Sequence, residues 1–421
     1  MHDPRVLLDP ATEAPRRLAR KGYSLDLASL ESLLARRNAA IGRGDDARGE
    51  SKRLATSVKG ASPEERPALV ERARALKGVV AAAEEEHRAL EAELTDLLLG
   101  VPNLPADDLP DGTSDADAEL VRTWGDPTAA RGSTDHVDLG EELGILDLPR
   151  ATKLSGPRFA VLRGKGARLE RALAAYFLDL AEQHGYVEYS VPSLVNRATM
   201  TGTGQLPKFE HDLFKTGVAD RELYLIPTAE VPLTNLHARE TLALEDLPLA
   251  LTAHTPCYRS EAGSYGRDTR GLVRLHEFSK VELVRVVDPA RSREELELLV
   301  THAEAVLQGL GLAYRVVKLA AGDTSFSAQV TYDLEVWLPG QGAYREIASA
   351  SDFGTFQARR AAIRTKAKDG ARGFAATLNS SGMPIGRTLV AILEQGQQPD
   401  GSVRIPEALV PYTGFDVLTP V

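Results

Sequence analysis

Thr255-Pro256-Cys257-Tyr258-Arg259-Ser260-Glu261-Ala262-Gly263, followed by Gly271-Leu272-Val273-Arg274-Leu275-His276-Glu277-Phe278-Ser279-Lys280-Val281-Glu282, decides the fold. Both runs read as strands that carry Arg259, Glu261 and Glu282 inward, joined by a polar loop from Ser264 to Arg270. Arginine can meet a phosphate with paired donors that never lose their charge. The two glutamates can meet donors or an ammonium group, and Phe278 can stack on a base. A second arginine comes much later, in Gly386-Arg387-Thr388-Leu389, where the apolar run Leu389 to Leu393 begins.

Working outward, 421 residues leave room for two or more domains. With 26% charged and 43% apolar residues, the chain has the composition of a soluble globular protein. A net charge of −10 argues against a generally basic nucleic-acid binder, so any RNA contact has to be a local patch. The single cysteine, Cys257, excludes an intramolecular disulfide and a Cys-rich zinc cluster, and it fits a reducing compartment. Between Pro256 and Tyr258 it reads as a small packed strand residue. Met1-His2-Asp3-Pro4 lacks the basic-then-apolar pattern of a signal peptide, and no apolar run approaches membrane length. The expected location is cytoplasmic, with no membrane partner.

Residues from about 30 to 98 read as two helices. In the second, Leu69, Ala73, Leu76, Val80, Ala83, His87, Leu90, Leu94 and Leu97 alternate spacings of four and three, the seam of helices packed at a 3.5-residue period. The first is phased likewise through Leu30, Leu33, Arg37, Ala40, Gly44, Ala47, Ser51, Leu54 and Val58. Gly42, Gly44 and Gly49 weaken it, each costing about 1 kcal/mol relative to alanine. Lys59-Gly60-Ala61-Ser62-Pro63 is a turn signal, so an antiparallel hairpin is expected. Such a hairpin can be a structural or dimerising coiled coil. Its first helix also carries Arg36, Arg37, Arg43, Arg48, Lys52 and Arg53, a modest basic bias suited to a phosphate backbone.

The Pro-, Asp- and Gly-rich residues 101–135 read as a linker with little core. The expected division is a helical hairpin at 1–100, the linker, and a second domain at 136–421. In that domain a helix is expected from Ala167 to His184 and another from about Arg293 to Leu310. Strands are expected near 223–227, 249–259, 272–287, 313–319, 330–338 and 343–349. The class is therefore α+β, with a mostly antiparallel sheet and flanking helices.

Common nucleotide motifs are missing. Gly202-Thr203-Gly204 has Pro207 where a dinucleotide fingerprint needs its third glycine, and no Gly-rich loop ends in Gly-Lys-Ser/Thr. A nucleotide would have to bind through another architecture, which returns attention to Arg259 and Arg387. Their setting resembles the core of class II aminoacyl-tRNA synthetases, and the whole chain resembles the bacterial seryl-tRNA synthetase family. The matching segments are Thr203-Gly204-Gln205-Leu206-Pro207-Lys208-Phe209, Leu225 to Pro232, Arg259 to Glu282, Thr331 to Trp337, Tyr344 to Ser349, Phe356 to Arg360, and Thr377 to Leu389.

The resemblance implies a homodimer that activates L-serine with ATP and transfers it to the 3′ end of serine tRNA, with selenocysteine tRNA a possible second acceptor. It implies that Arg259 holds the α-phosphate and serine carboxylate, and Arg387 the γ-phosphate of a folded ATP. Phe278 would stack on adenine, with Glu261 and the backbone around Leu275 near its edge, and Ser260, Glu346, Ile347, Ala348 and Ser349 would complete the ATP site. Glu346 and Ser349 would hold Mg²⁺ through hard oxygen ligands, with no zinc. Serine would meet Thr228, Ala229, Glu230, Arg259, Glu282, Asn379 and Ser381. The six basic residues of the first hairpin helix would track the tRNA backbone.

Some positions depart from the family's usual residues. Ala348-Ser349-Ala350-Ser351-Asp352 stands where Ser-Ser-Cys-Ser-Asn is usual, and Asn379-Ser380-Ser381 replaces Asn-Gly-Ser. Glu277 replaces Gln, and Val330 replaces Lys. These changes suggest a divergent second copy with altered sensitivity to serine-adenylate mimics. Apart from them, the alternatives are a related ligase that loads an amino acid on a carrier protein, a non-catalytic RNA-binding homologue, and a coiled-coil interaction protein.

Overall fold

The structure, a computed structural model, describes residues 1–261 and 270–421, so the expected loop at Ser264–Thr269 lies outside the described residues. Two compact units are present. One comprises residues 2–19 and 23–102, the other Met1, residues 20–22 and 103–421.

The smaller unit is dominated by helices α1 (Leu27–Gly60) and α2 (Arg66–Gly100), packed along their length. Asp26 caps α1 by accepting from the Ser29 amide at 2.9 Å, which satisfies one of the first-turn donors. Both seams face inward: every position named from the spacing is buried or half-buried while most of its neighbours are exposed. Near the end of α2 the seam slips by one, and Leu98 rather than Leu97 becomes the buried residue. Cross-helix ion pairs join Arg36 to Glu93, Arg37 to Glu91, Arg43 to Glu86, Arg48 to Glu84 and Arg72 to Glu50.

The larger unit is built on an eight-stranded sheet. Its strands in chain order are β1 (Glu119–Trp124), β2 (Val187–Glu188), β3 (Leu249–Tyr258), β4 (Glu277–Val287), β5 (Tyr314–Lys318), β6 (Val330–Leu338), β7 (Ala343–Asp352) and β8 (Ala376–Pro384). In space they run β1-β5-β6-β7-β8-β4-β3-β2. Every pairing is antiparallel except that of β2 with β3. The two faces differ in chemistry. On β4, Val281, Leu283 and Val287 enter the main core with helices α3 (Lys165–Gln183) and α4 (Ser292–Gly309). Phe278, Lys280 and Glu282 alternate to the opposite face, as a period of two requires.

Residues 101–135 are not a coreless linker: Asn103 is buried, its amide donating to the Ser327 and Phe353 carbonyls at 2.9 Å, and β1 pairs with β5 as a sheet edge. The run 272–287 forms a strand only from Glu277, and residues 272–275 line the cavity described below instead.

Candidate functional site

The polar face of the sheet forms the wall of a cavity of about 610 Å³. Arg259 and Arg387, 128 positions apart in the chain, line it together with Thr228, Glu230, Glu261, Leu275, Phe278, Glu346, Ile347, Ser349, Asn379 and Ser381.

Strand register explains the convergence. Ser381 stands opposite Glu282, and Asn379 opposite Ser351, so alternate residues of β4, β7 and β8 share one face. Glu346 would point the other way from Ser349 in a regular strand. Between β6 and β7, however, Leu334 pairs with Ala348 and Glu335 with Glu346, leaving Ile347 as an extra residue. That bulge turns Glu346 onto the cavity face. Beyond the end of β3, the Arg259 amide donates to His276 O at 2.9 Å, and His276 Nδ1 meets Arg259 O at 3.0 Å. This double tie fixes where the guanidinium starts.

One end of the cavity is a buried polar network. Thr228 Oγ1 donates to Glu282 at 2.9 Å, and Asn379 Nδ2 donates to Glu230 at 3.0 Å and Glu282 at 3.2 Å. Gln357 donates to Glu230 at 2.6 Å and is itself oriented by the Thr377 hydroxyl. Burial, and then the nearby Glu282 carboxylate, push Glu230 up to about 7 despite these donors. The arrangement presents the Glu230 carboxylate, a hydroxyl and an amide to the cavity, with Glu282 behind them.

At the other end, Arg387 Nε donates to Val273 O at 3.1 Å and its Nη1 to Glu346 O at 2.8 Å, with the Glu346 carboxylate 3.5 Å away. Arg259 lies over Phe278 with 5.2 Å between Cζ and the ring centre, a cation–π contact. Asp333, close to Glu346 and bonded to Ser349, is raised well above the usual carboxylate range by burial and then by Glu346. Its Oδ1 is buried without a hydrogen-bond partner among the described residues. Hard oxygen donors, clustered negative charge and an orphaned carboxylate oxygen fit a divalent cation of the Mg²⁺ type at Glu346 and Ser349.

Some expected site residues lie elsewhere. Ala229 and Ala348 are fully buried in apolar clusters, because each falls on the core side of its own segment. Ser260 turns away, its hydroxyl donating to His211 O at 3.0 Å. Glu282 lies behind the wall and reaches the site through Thr228, Asn379 and Lys280. Glu261 stays on the cavity wall, held by Arg274 at 2.6 Å.

Lys280, Arg274, Gln357 and the segment Thr203–Gln205 also line the cavity, although the sequence reading gave them no role. Lys280 was findable, since it shares strand parity with Phe278 and Glu282. It is buried, with its ammonium on Glu282, on Thr228 Oγ1 at 2.9 Å and on Ser381 Oγ at 3.4 Å. Of the basic residues on α1, Arg36, Arg37, Arg43 and Arg48 are engaged by carboxylates of α2. Lys52 and Arg53 are exposed, and no ion pair forms at either among the described residues.

An antiparallel sheet carrying a polar, two-arginine site defines a class II aminoacyl-tRNA synthetase core, and residues 214–396 match the family described as tRNA synthetase class II core domain (G, H, P, S and T). Residues 1–105 match the seryl-tRNA synthetase N-terminal domain. Serine–tRNA ligase 2 of Streptomyces avermitilis is 59% identical over 100% of this chain and 99% of that relative. Serine–tRNA ligase of Synechococcus sp. is 48% identical over the full length of both. Among solved structures, seryl-tRNA synthetase from Pyrococcus horikoshii complexed with ATP superposes with a TM-score of 0.92, at 33% identity and full coverage of both chains. The chain belongs to the seryl-tRNA synthetase family.

Proposed function

We propose that this chain is a serine–tRNA ligase, joining the carboxylate of L-serine to the α-phosphate of ATP with loss of pyrophosphate and then passing the seryl group to tRNA. The observation that carries this is the convergence of Arg259 and Arg387 on one cavity whose far end holds Thr228, Glu230 and Asn379. Serine's carboxylate is ionised at neutral pH, so no general base is needed in the first step. The task is to align two anions and neutralise charge as it moves. Arg259 suits the α-phosphate and the carboxylate together, and Arg387 the far end of a bent triphosphate. Glu346 and Ser349 would hold Mg²⁺, which supplies charge neutralisation between phosphates. In the second step a 3′-terminal ribose hydroxyl attacks the carbonyl carbon and AMP leaves with the electron pair of the broken acyl–phosphate bond.

Serine's ammonium would meet Glu230, with Glu282 acting from behind the wall through Thr228 and Asn379, and its hydroxyl would meet the polar groups around Asn379 and Ser381. A pocket built to hydrogen-bond a hydroxyl rejects the analogue lacking it by roughly 10⁴–10⁵, because buried partners go unpaired. The departures from the family pattern do not favour altered inhibitor sensitivity: Ala350 and Ser380 are fully buried on the strand faces turned from the cavity. Nor is a non-catalytic RNA-binding reading favoured, since each assigned charged residue is present. We assign Lys52 and Arg53 as the free cations for the tRNA backbone. A cytoplasmic homodimer is part of the same reading.

The test is serine-dependent exchange of labelled pyrophosphate into ATP, with threonine and alanine as controls. Exchange with serine alone is expected. Equal exchange with all three, or none with serine, would overturn the assignment.

A further inference from the structure

Outside the cavity, Asp135, His136 and Glu394 bring one potential metal-ligand atom each within 4.8 Å of one another. The hydrogen bonds argue for a different role. The Leu272 amide donates to His136 Nε2 at 3.2 Å, so that nitrogen must offer its lone pair to the backbone. The neutral ring then carries its proton on Nδ1, which donates to Glu394 Oε1 at 3.0 Å. No ring lone pair is left for an ion. Glu394 also receives the His136 amide at 3.3 Å and the Gly340 amide at 2.8 Å. Histidine and glutamate are both fully buried.

The pair touches three elements, and each carries part of the phosphate end of the site. Glu394 stands on the helix Ile385–Gly396, two turns after Arg387. Gly340 lies in the turn between β6 and β7, and β7 carries Glu346 and Ser349. Leu272 precedes Val273, whose carbonyl receives Arg387 Nε at 3.1 Å. Gly271 closes the arrangement: its φ is +75°, and a Cβ there would stand 2.1 Å from His136 Nε2. Arg270 adds ion pairs to Asp135 at 3.4 Å and to Asp138.

We propose that His136, held by Glu394, is a positioning residue for the triphosphate: it pins residues 270–273 so that Val273 O and Arg387 meet the nucleotide already aligned. This rests on the ATP-site reading above. The two ring nitrogens can be separated by substitution. Asparagine reaches the Nδ1 position only, and glutamine reaches the Nε2 position only. In pyrophosphate exchange His136→Asn, which leaves the Leu272 amide unpaired, is expected to raise the KM for ATP roughly tenfold while the KM for serine holds. His136→Gln should return the ATP value to within about threefold of the parent.

Equal effects of the two variants, or a matching rise in the serine KM, would overturn the proposal. If either variant fails to fold, the parent protein decides by hydrogen exchange without nucleotide. The Leu272 amide should be strongly protected, and fast exchange there would overturn the proposal. Loss of serine-dependent exchange in the parent would instead sink the reading of function, whatever the variants did.

Discussion

At the scale of single residues, charge and volume behind the cavity wall make two sharp statements. Glu230 is held near pH 7 by burial and by Glu282, so near neutrality a sizeable fraction is protonated before substrate arrives. A substrate ammonium favours the ionised carboxylate, and binding must therefore weaken as pH falls through about 7. The KM for serine should level off toward pH 8 and rise toward tenfold per unit below about 7. Glu230→Gln should bind more weakly throughout and lose that slope. Steady-state exchange kinetics between pH 6 and 8 measure this, and a wild-type serine KM flat over the range would refute the role.

The second statement concerns Ala350 and Ser380, which stand directly opposite each other on β7 and β8, both fully buried. Against the family's usual cysteine and glycine, one side chain has shrunk and its partner has grown, as volume-conserving exchange in a close-packed core requires. Ala350→Cys alone should overpack by about 1–3 kcal/mol, and Ser380→Gly alone should open a void. The double variant should recover most of both losses. Denaturant melts of the four proteins give the coupling energy, and simple additivity would show that the two sites are independent.

At the scale of elements, the helical hairpin was legible because a seven-residue repeat survives even where the seam residues are small. The strands β3, β6 and β7 were legible from apolar alternation. Strand β8, Ala376–Pro384, was not: its sequence Ala-Thr-Leu-Asn-Ser-Ser-Gly-Met-Pro has short polar residues on the cavity face and no β-branched run. It was found only as a motif carrying Asn379 and Ser381. The bulge at Ile347 was also hidden, since only strand register reveals that Glu346 joins the face of Ser349. For the hairpin the structure sharpens the glycine argument. A Cβ at Gly44 would meet Ala83 Cβ at 3.6 Å, an ordinary contact. Gly44→Ala is therefore expected to stabilise the helical unit by about 1 kcal/mol, read as a raised midpoint in its thermal transition. On the same helix, Lys52→Ala with Arg53→Ala should weaken tRNA binding and lower the salt slope by about two. Replacing the paired Arg43 should do less to binding and more to the hairpin's stability.

At the scale of the whole molecule, the sheet leaves an edge to be covered. Strand β2 is only two residues long and pairs with β3 on one side, so the backbone groups of its other side face outward. Val187 on that strand is 58% exposed, and Tyr189 and Leu194, soon after it in sequence, are exposed as well. These residues follow the helix Lys165–Gln183. Exposed apolar side chains beside an open strand edge are what a second copy of the chain would bury, and a stable interface needs roughly 1,200–2,000 Å² in total. Sedimentation of the wild-type protein at micromolar concentration should give twice the chain mass. Val187→Glu, which places a charge on the edge, should shift the equilibrium toward monomer while leaving the helical unit's own transition in place. If the site depends on the edge being covered, serine-dependent exchange should fall with the dimer fraction as the variant is diluted. A wild-type protein that sediments as a monomer would remove the dimer from the account and leave the cavity chemistry standing on its own geometry.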